Sequence, residues 1–420
     1  MSLIKTSLLN SIAVFIKLVC ALLLNKILAV YVGPGGFALI GQFQNFWTIL
    51  VGLAGGVLST GLIKFTAQYF DDELKQHKAW QTAIRLSLYS STLLGFIVLI
   101  YGKQLSQWLL IRSDMASVFN WMPLALPAVV ASNLLLAIVN GKKEVKIYIV
   151  SNILSSILSL LLIGVLSYGY GLYGALLALI FTPALVLFTT AALLARQNWF
   201  SPQLFWGQLD KDSVYGLTGF AVMGIVSALM APATYIVVRN HISDLFGLKA
   251  AGFWQATWKI SEVYLMLITT TLGLYYLPRL AEIKHGHHLR KEILKIYLFS
   301  LPVATASAGS IFILRNYLVK ILFTPDFLPI VDLLPWQLAG DVVKIGSWVL
   351  GYVLIGRSMV KSFILTEVIF SFSFIGLSWL LISKYALIGV TVAYFVNYSL
   401  HWMTMAFIIN WKIKKMPNHA

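Results

Sequence analysis

The sequence predicts an all-α polytopic membrane protein, and three observations lead to this fold class. Hydrophobic residues make up 59% of the 420 residues and charged residues only 11%, whereas a soluble chain carries about a quarter charged residues. Apolar stretches of about 20 residues, long enough to cross a bilayer, recur along the chain. The basic residues are also unevenly distributed over the segments that join these stretches.

Twelve apolar stretches are expected to form transmembrane helices. In chain order, they cover residues 8–32, 37–63, 82–101, 118–139, 147–168, 172–195, 214–239, 251–277, 296–314, 331–356, 361–382 and 387–410. The connections are too short for an extramembrane catalytic domain or a nucleotide-binding cassette, and no glycine-rich P-loop signature appears. The expected energy source is therefore an ion gradient, the membrane potential or the substrate gradient.

The positions of the basic residues explain the net charge of +16. With the N-terminus in the cytoplasm, twenty of the 31 Lys and Arg residues fall in cytoplasmic segments, seven in outer segments and four inside the predicted helices. This asymmetry fits the positive-inside rule, and twelve crossings place the C-terminus in the cytoplasm as well. The basic excess is therefore a feature of topology, and no nucleic-acid partner is expected.

An internal repeat is visible at an offset of 215 residues. The stretch 141–146 aligns with 356–361, and 170–175 aligns with 385–390. Lys64 falls in the same register, since it aligns with Arg279. Several separate stretches that share one register indicate a duplicated unit of six predicted helices.

Six is an even number, so both halves of the repeat insert with the same orientation. We therefore predict two six-helix bundles related by an axis along the membrane normal. The N-terminal bundle covers residues 1–195, a polar and aromatic cytoplasmic linker covers 196–213, and the C-terminal bundle covers 214–420. Parallel-repeat transporters place the substrate path between such halves and alternate access by rocking one against the other.

Seven charged residues inside the predicted helices are the main candidates for function. They are Lys17, Lys26, Lys259, Glu262, Asp341, Lys344 and Glu367. A charge at the bilayer centre costs about 2.5–3.5 kcal/mol on insertion scales, so such residues usually face a watery cavity or a partner. Four are basic and three acidic, which indicates a mildly cationic, hydrated cavity for an anionic substrate.

Structural roles remain open for several of these charges. Lys259 and Glu262 are spaced i, i+3, as are Asp341 and Lys344, so each pair is close enough to neutralise itself on one helix face. Lys26 lies near the outer end of its predicted helix and is able to snorkel to the interface.

Glu367 lies near the inner mouth, where interfacial exposure is an equal alternative. Trp254 and Trp336 share helices with buried charges and are candidates for stacking on sugar rings. His285, His287 and His288 lie in a charged loop without Cys or paired carboxylates, so we expect a solvated loop and no metal site. No nucleophilic or paired-carboxylate constellation emerges, so neither an enzyme nor a cofactor is expected.

Five segments resemble Wzx-type flippases of the multidrug/oligosaccharidyl-lipid/polysaccharide exporter superfamily. They are residues 26–36, 64–69, 254–264, 277–280 and 336–344. The last segment, Trp336-Gln337-Leu338-Ala339-Gly340-Asp341-Val342-Val343-Lys344, is the most specific, because it places two costly charges inside a membrane helix. The resemblance runs nearly from end to end.

The resemblance implies a flippase that moves undecaprenyl-pyrophosphate-linked oligosaccharide, either an O-antigen unit or the lipid III of enterobacterial common antigen. Movement would run from the cytoplasmic to the periplasmic leaflet of the bacterial inner membrane by alternating access. A polymerase and a chain-length regulator of the same pathway are the implied protein partners.

The same resemblance suggests a role for each candidate residue. The cations expected to attract the pyrophosphate are Lys17, Lys26, Lys259 and Lys344, with Arg85 and Arg279 guiding it at the cytoplasmic mouth. The residues expected to face the substrate in the cavity also include Trp254, Gln255 and Trp336. The candidates for ion coupling are Glu262, Asp341 and Glu367.

Three alternatives remain. A multidrug or toxin exporter of the same superfamily predicts a more acidic cavity for organic cations, which the local excess of base disfavours. A membrane polymerase or ligase of the pathway generally needs a large outer loop, and none is predicted. A purely structural membrane scaffold does not explain the charges inside the helices.

Overall fold

The computed structural model describes residues 3–276, 279–280, 283, 285–357 and 359–415. Within these ranges the chain consists of helices and their connecting turns, without a strand, which confirms the predicted all-α class. The α-helices are α1 (Leu3–Val51), α2 (Leu58–Gln68), α3 (Glu73–Leu110), α4 (Ala116–Gly141), α5 (Val145–Leu194), α6 (Lys211–Thr271), α7 (Gly286–Leu322), α8 (Ile330–Gly356), α9 (Val360–Tyr385) and α10 (Ile388–Lys414).

Nine helical stretches in the described part of the chain are long and apolar enough to cross a membrane. Three of them are far longer than the roughly 20 residues that one crossing needs. These three are Ile12–Gln68 with 57 residues, Val145–Leu194 with 50 and Ala221–Thr270 with 50. Each contains a glycine with positive φ, namely Gly33 (67°), Gly171 (53°) and Gly247 (82°). Glycine adopts this backbone conformation readily, so the helix direction breaks at these three positions.

The break at Gly171 recurs 215 positions later, at Ala386. Gly171 has φ 53° and ψ −131°, and Ala386 has φ 49° and ψ −141°. Three residues further on, a Cβ on Gly174 or on Gly389 would lie 1.9 or 2.1 Å from the carbonyl oxygen eight residues earlier. Both connections therefore have the same tight geometry, which supports the internal repeat.

Replacement of Ala386 by Gly is expected to stabilise the protein by roughly 1 kcal/mol. Backbone strain of this kind costs about 1–3 kcal/mol, and the greater freedom of glycine in the unfolded chain offsets part of the gain. The midpoint of thermal unfolding in detergent measures the effect and should rise. The matched control, Gly171→Ala, should lower the midpoint. An unchanged midpoint for Ala386→Gly would show that the conformation is not strained.

The chain forms two compact units. The first unit comprises Met1–Val32 and Leu39–Ile236, and the second comprises Gly33–Ala38 and Val237–Ala420. The boundary of these units lies within α6, whereas the boundary of the predicted repeat lies in residues 196–213. The predicted division into 1–195, 196–213 and 214–420 stays a prediction.

In the first unit, the segment that follows α5 is packed against neighbouring helices. Trp199 and Phe205 both contact Trp80 of α3, with ring centroids 5.8 Å apart in each pair. The Lys142 ammonium lies 5.5 Å from the Trp80 ring and 5.4 Å from the Trp199 ring. Cation–π contacts of this kind stabilise the packing. The predicted linker is therefore anchored on the first unit by its aromatic residues.

In the second unit, α8 packs against α7 and α10. Its residues Ile345, Val349 and Val353 are spaced four apart, so they lie on one helix face, and all three are buried in the apolar core. The same face reaches Asp341 one turn earlier. Packing of the apolar face therefore carries the carboxylate of Asp341 into the protein interior.

Candidate functional site

Two glycines of α8 allow α10 to approach closely. A Cβ on Gly340 would lie 2.4 Å from the ring of Tyr394, and a Cβ on Gly346 would lie 2.6 Å from the ring of Trp402. Small residues permit this kind of close packing between membrane helices. The contact brings the hydroxyl of Tyr394 to the carboxylate of Asp341.

The carboxylate of Asp341 is fully buried and receives hydrogen bonds from two other helices. Ser261 Oγ and Tyr264 Oη, both on α6, donate to Asp341 Oδ2 at 2.5 and 2.8 Å. Tyr394 Oη of α10 donates to Oδ1 at 2.8 Å. A buried charge must find such donors, because burial without them is very costly. The side chain of Asp341 therefore ties α6, α8 and α10 together.

Gln337 extends this network by one helical turn along α8. Its Nε2 donates to Ser261 Oγ at 3.2 Å and lies 3.5 Å from Asp341 Oδ1. Ser261 thus receives one hydrogen bond and donates another. The amide of Gln337 thus holds the hydroxyl of Ser261 in the orientation in which it donates to the carboxylate of Asp341.

Lys344 is buried beside this network and is enclosed by aromatic rings. Its side chain is 4% exposed. Its Nζ lies 4.6 Å from the ring centroids of both Trp258 and Trp348, 5.1 Å from Tyr398 and 5.5 Å from Tyr394. An ammonium within about 6 Å of a ring centroid is attracted by the ring face, and the attraction is stronger when desolvated. We call these four rings the aromatic cage.

Tyr394 belongs to both arrangements. Its hydroxyl serves Asp341, while its ring contributes to the cage of Lys344. It also packs edge-on against Trp258, with ring centroids 5.1 Å apart. In the described part of the chain, no ion pair joins Asp341 to Lys344, although their i, i+3 spacing would permit one. Tyr394 therefore contacts both charged groups, the carboxylate of Asp341 and the ammonium of Lys344.

The other i, i+3 pair does form a direct ion pair. Lys259 Nζ lies 2.7 Å from Glu262 Oε2. The side chain of Glu262 is 65% exposed and that of Lys259 is 21% exposed. This pair therefore leaves both charges close to the protein surface of the second unit.

Trp254 and Gln255 are buried in the second unit and contact Arg239. Arg239 Nη2 donates to Gln255 Oε1 at 2.5 Å, and its guanidinium lies 5.4 Å from the Trp254 ring. Arg239 is itself only 3% exposed. Trp336, by contrast, is 42% exposed and packs on Phe395 with ring centroids 5.5 Å apart.

The remaining predicted site residues are more dispersed. Lys17 is exposed, while Lys26 and Arg85 are half-buried, and all three belong to the first unit. Glu367 is half-buried in α9 and Arg279 is exposed, both in the second unit. Leu277 and Pro278, which belong to the 277–280 segment that resembles Wzx-type flippases, lie outside the described residues. The second unit thus brings Asp341 and Lys344 together with partners that sequence analysis did not identify.

Four of these missed partners had little sequence signal. Ser261, Tyr264, Tyr394 and Gln337 are polar residues of a kind common in membrane helices. The i, i+3 spacing of Ser261 and Tyr264 and the i, i+4 spacing of Tyr394 and Tyr398 place each pair on one helix face. Among the described residues, no group of three or more His, Cys, Asp or Glu side chains could hold a metal ion.

The fold has close counterparts among solved transporters. A multidrug resistance MATE family transporter of the MOP superfamily, in its inward-facing conformation, matches with a TM-score of 0.82, 13% identity and 95% coverage of both chains. The lipid II flippase MurJ, in an inward closed conformation, matches with a TM-score of 0.74 and 13% identity over 97% of this chain and 87% of that one. The chain therefore has the multi-pass helical fold of these transporters.

The family follows from sequence similarity. No family model matches the chain. The chain is 31% identical to the lipid III flippase of Escherichia coli (strain K12) over 369 residues, and the alignment covers 88% of each of the two chains. The lipid III flippase of Shigella flexneri matches to the same extent. The chain belongs to the lipid III flippase family.

Proposed function

We propose that the protein translocates an undecaprenyl-pyrophosphate-linked oligosaccharide across the bacterial inner membrane, from the cytoplasmic to the periplasmic leaflet. The substrate is lipid III of enterobacterial common antigen or a related O-antigen unit. The observation that carries this proposal is the 31% sequence identity to a lipid III flippase, which extends over 88% of the chain. A polymerase and a chain-length regulator of the same pathway are the protein partners that this function would require.

The proposed topology has twelve crossings and both termini in the cytoplasm. Nine apolar helical stretches occur in the described part of the chain. Breaks at Gly33, Gly171 and Gly247 would divide the three longest stretches in two, which gives twelve. The halves would be residues 1–195 and 214–420, joined by 196–213. Transport would proceed by alternating access, as in other parallel-repeat transporters.

The proposed roles of the cations follow from the chemistry of the substrate. A pyrophosphate needs positive charge, and a glycan needs polar and aromatic contacts. We assign pyrophosphate attraction to Lys17, Lys26, Lys259 and Lys344, guidance to Arg85 and Arg279, and glycan contact to Trp254, Gln255 and Trp336. Trp336, with its exposed ring, is the best placed of the last three to meet a sugar.

Ion coupling is assigned to Glu262, Asp341 and Glu367, and the surroundings of Asp341 explain how coupling would work. An ionised carboxylate accepts hydrogen bonds only, whereas a protonated one also donates. Protonation of Asp341 would therefore disturb the bonds from Ser261 and Tyr394 and loosen the link between α6, α8 and α10. The binding of an ion would thus be transmitted to helix packing.

The decisive experiment is a deletion of the gene with analysis of the lipid-linked intermediates that accumulate. The expected result is accumulation of an undecaprenyl-pyrophosphate-linked oligosaccharide on the cytoplasmic side and loss of the corresponding envelope glycan. The transported glycan is identified from the accumulated species. A normal glycan profile in the deletion strain would refute the flippase proposal.

A multidrug exporter is the second candidate, because the MATE transporter has the same fold with a TM-score of 0.82. The buried ammonium of Lys344 opposes this candidate, since a like charge repels organic cations. Growth of expressing cells on cationic dyes separates the two functions. An exporter would confer resistance, whereas a flippase would not.

A further inference from the structure

A cavity of about 800 Å³ lies at the N-terminal end of α7 in the second unit. Its lining includes three permanent cations, Arg279, Lys291 and Lys295, and the imidazoles of His285 and His288. Among the described residues that line it, Glu292 is the one carboxylate. The cavity volume falls within the range of ordinary ligand pockets. Its lining favours an anionic ligand.

The helix geometry places charged and apolar groups of this cavity side by side. Lys291, Leu294, Lys295 and Leu298 follow one another at spacings of three, one and three residues, so they lie on one face of α7. The two leucines are 58% and 70% exposed. Lysines and exposed leucines therefore alternate along this face, from Lys291 to Leu298.

Lys291 and Lys295 also place two like charges on one face of α7. They are spaced i, i+4, and like charges at this spacing destabilise a helix. The positive end of the helix dipole lies in the same region, which adds to the local positive potential. Both lysines and the helix dipole would attract an anion bound in the cavity. Basic pockets at the ends of membrane helices are a common site for lipid phosphate groups.

We infer that this cavity binds the phosphate head group of a membrane lipid, with the hydrocarbon chain along Leu294 and Leu298. A soluble anion would use the cations alone, whereas a lipid head group in this cavity would place its hydrocarbon chain beside the apolar, membrane-spanning part of α7. The head group has two sources, an anionic phospholipid or the polyprenyl pyrophosphate of the substrate. Only the second source rests on the proposed function, and the cavity is separate from the Asp341 and Lys344 site.

The test is native mass spectrometry of the purified full-length protein with four probes. Phosphatidylglycerol and geranylgeranyl pyrophosphate carry the anionic head group, whereas phosphatidylcholine and geranylgeraniol are their matched controls. The variant is Lys291→Gln/Lys295→Gln. Exposed lysines outside the cavity supply the control variant, Lys211→Gln/Lys361→Gln. Because both targeted lysines are exposed, their replacement should leave the fold intact.

We expect the wild-type protein to bind at least one anionic probe more tightly than its control. Loss of the two lysines should weaken that binding roughly tenfold or more, whereas the control variant should bind as the wild type does. The variant Lys291→Arg/Lys295→Arg should restore binding. Preference for phosphatidylglycerol identifies a phospholipid site, and preference for geranylgeranyl pyrophosphate identifies a substrate capture site.

Two results would overturn the inference. One is binding of the anionic probes no tighter than that of their controls. The other is an affinity of the Gln variant within twofold of the wild type. Neither result bears on the flippase proposal, because accumulation of the lipid-linked intermediate in the deletion strain is measured independently.

Discussion

Replacement of Lys344 by Met is expected to abolish transport and leave the protein folded. The ammonium of Lys344 is enclosed by the aromatic cage of Trp258, Trp348, Tyr394 and Tyr398. Methionine has a similar length and suits an aromatic surrounding, and the carboxylate of Asp341 keeps its hydrogen bonds from Ser261, Tyr264 and Tyr394 in this variant. The variant thus removes the charge with little change in packing.

Two measurements separate transport from folding for Lys344→Met. Complementation of a flippase-deficient strain should fall to the level of the empty vector, while the midpoint of thermal unfolding in detergent should stay close to that of the wild type. Lys384→Met, at an exposed position in α9, is the matched control and should complement fully. Full complementation by Lys344→Met would show that this ammonium takes no part in transport.

Replacement of Asp341 by Ala is expected to destabilise the second unit by roughly 3–5 kcal/mol, since removal of one partner from a buried charged network leaves the others unsatisfied. The hydroxyls of Ser261, Tyr264 and Tyr394 all lose their acceptor. Each buried donor without a partner costs about 1–3 kcal/mol. Lys344 also loses a neighbouring negative charge.

The variant Asp341→Asn should fall between the wild type and Asp341→Ala, because its amide oxygen keeps one acceptor for the hydroxyls. Thermal unfolding in detergent and the amount of folded protein in the membrane measure the order. Asp332→Ala, at an exposed position in the first turn of α8, is the control and should change stability little. Equal stability of Asp341→Ala and Asp332→Ala would mean that the hydroxyl network contributes nothing. If Asp341→Asn and Lys344→Ala both complement fully, these residues are structural and the site assignment is wrong.

The pair Asp341 and Lys344 could be found from sequence, because two charges inside an apolar stretch are costly enough to need a reason. Their partners could not. Ser261, Tyr264 and Tyr394 lie 80, 77 and 53 positions from Asp341 in the chain, and no local spacing connects them. Placing a hydroxyl residue inside a membrane helix also costs much less free energy than placing a charge there. Such residues therefore do not stand out in the sequence as candidates for a site.

The contacts of Arg239 could not be found from the sequence either. The positive-inside rule uses only the position of a basic residue along the chain and does not show what its side chain contacts. The structure buries this residue against Trp254 and Gln255. The helical hairpin of α6, which reverses at Gly247, determines this contact because it brings residues 239 and 255 together.

Sequence by itself determined that this chain is an all-α membrane protein and which charges lie inside its apolar segments. These properties depend on composition and on periodicity, which are local. Tertiary structure decided what each buried charge contacts. The i, i+3 spacing of Asp341 and Lys344 would permit an ion pair, yet hydroxyls stabilise the carboxylate of Asp341 and aromatic rings stabilise the ammonium of Lys344. A desolvated charge is stabilised by the partners that packing brings to it, and those partners come from other helices.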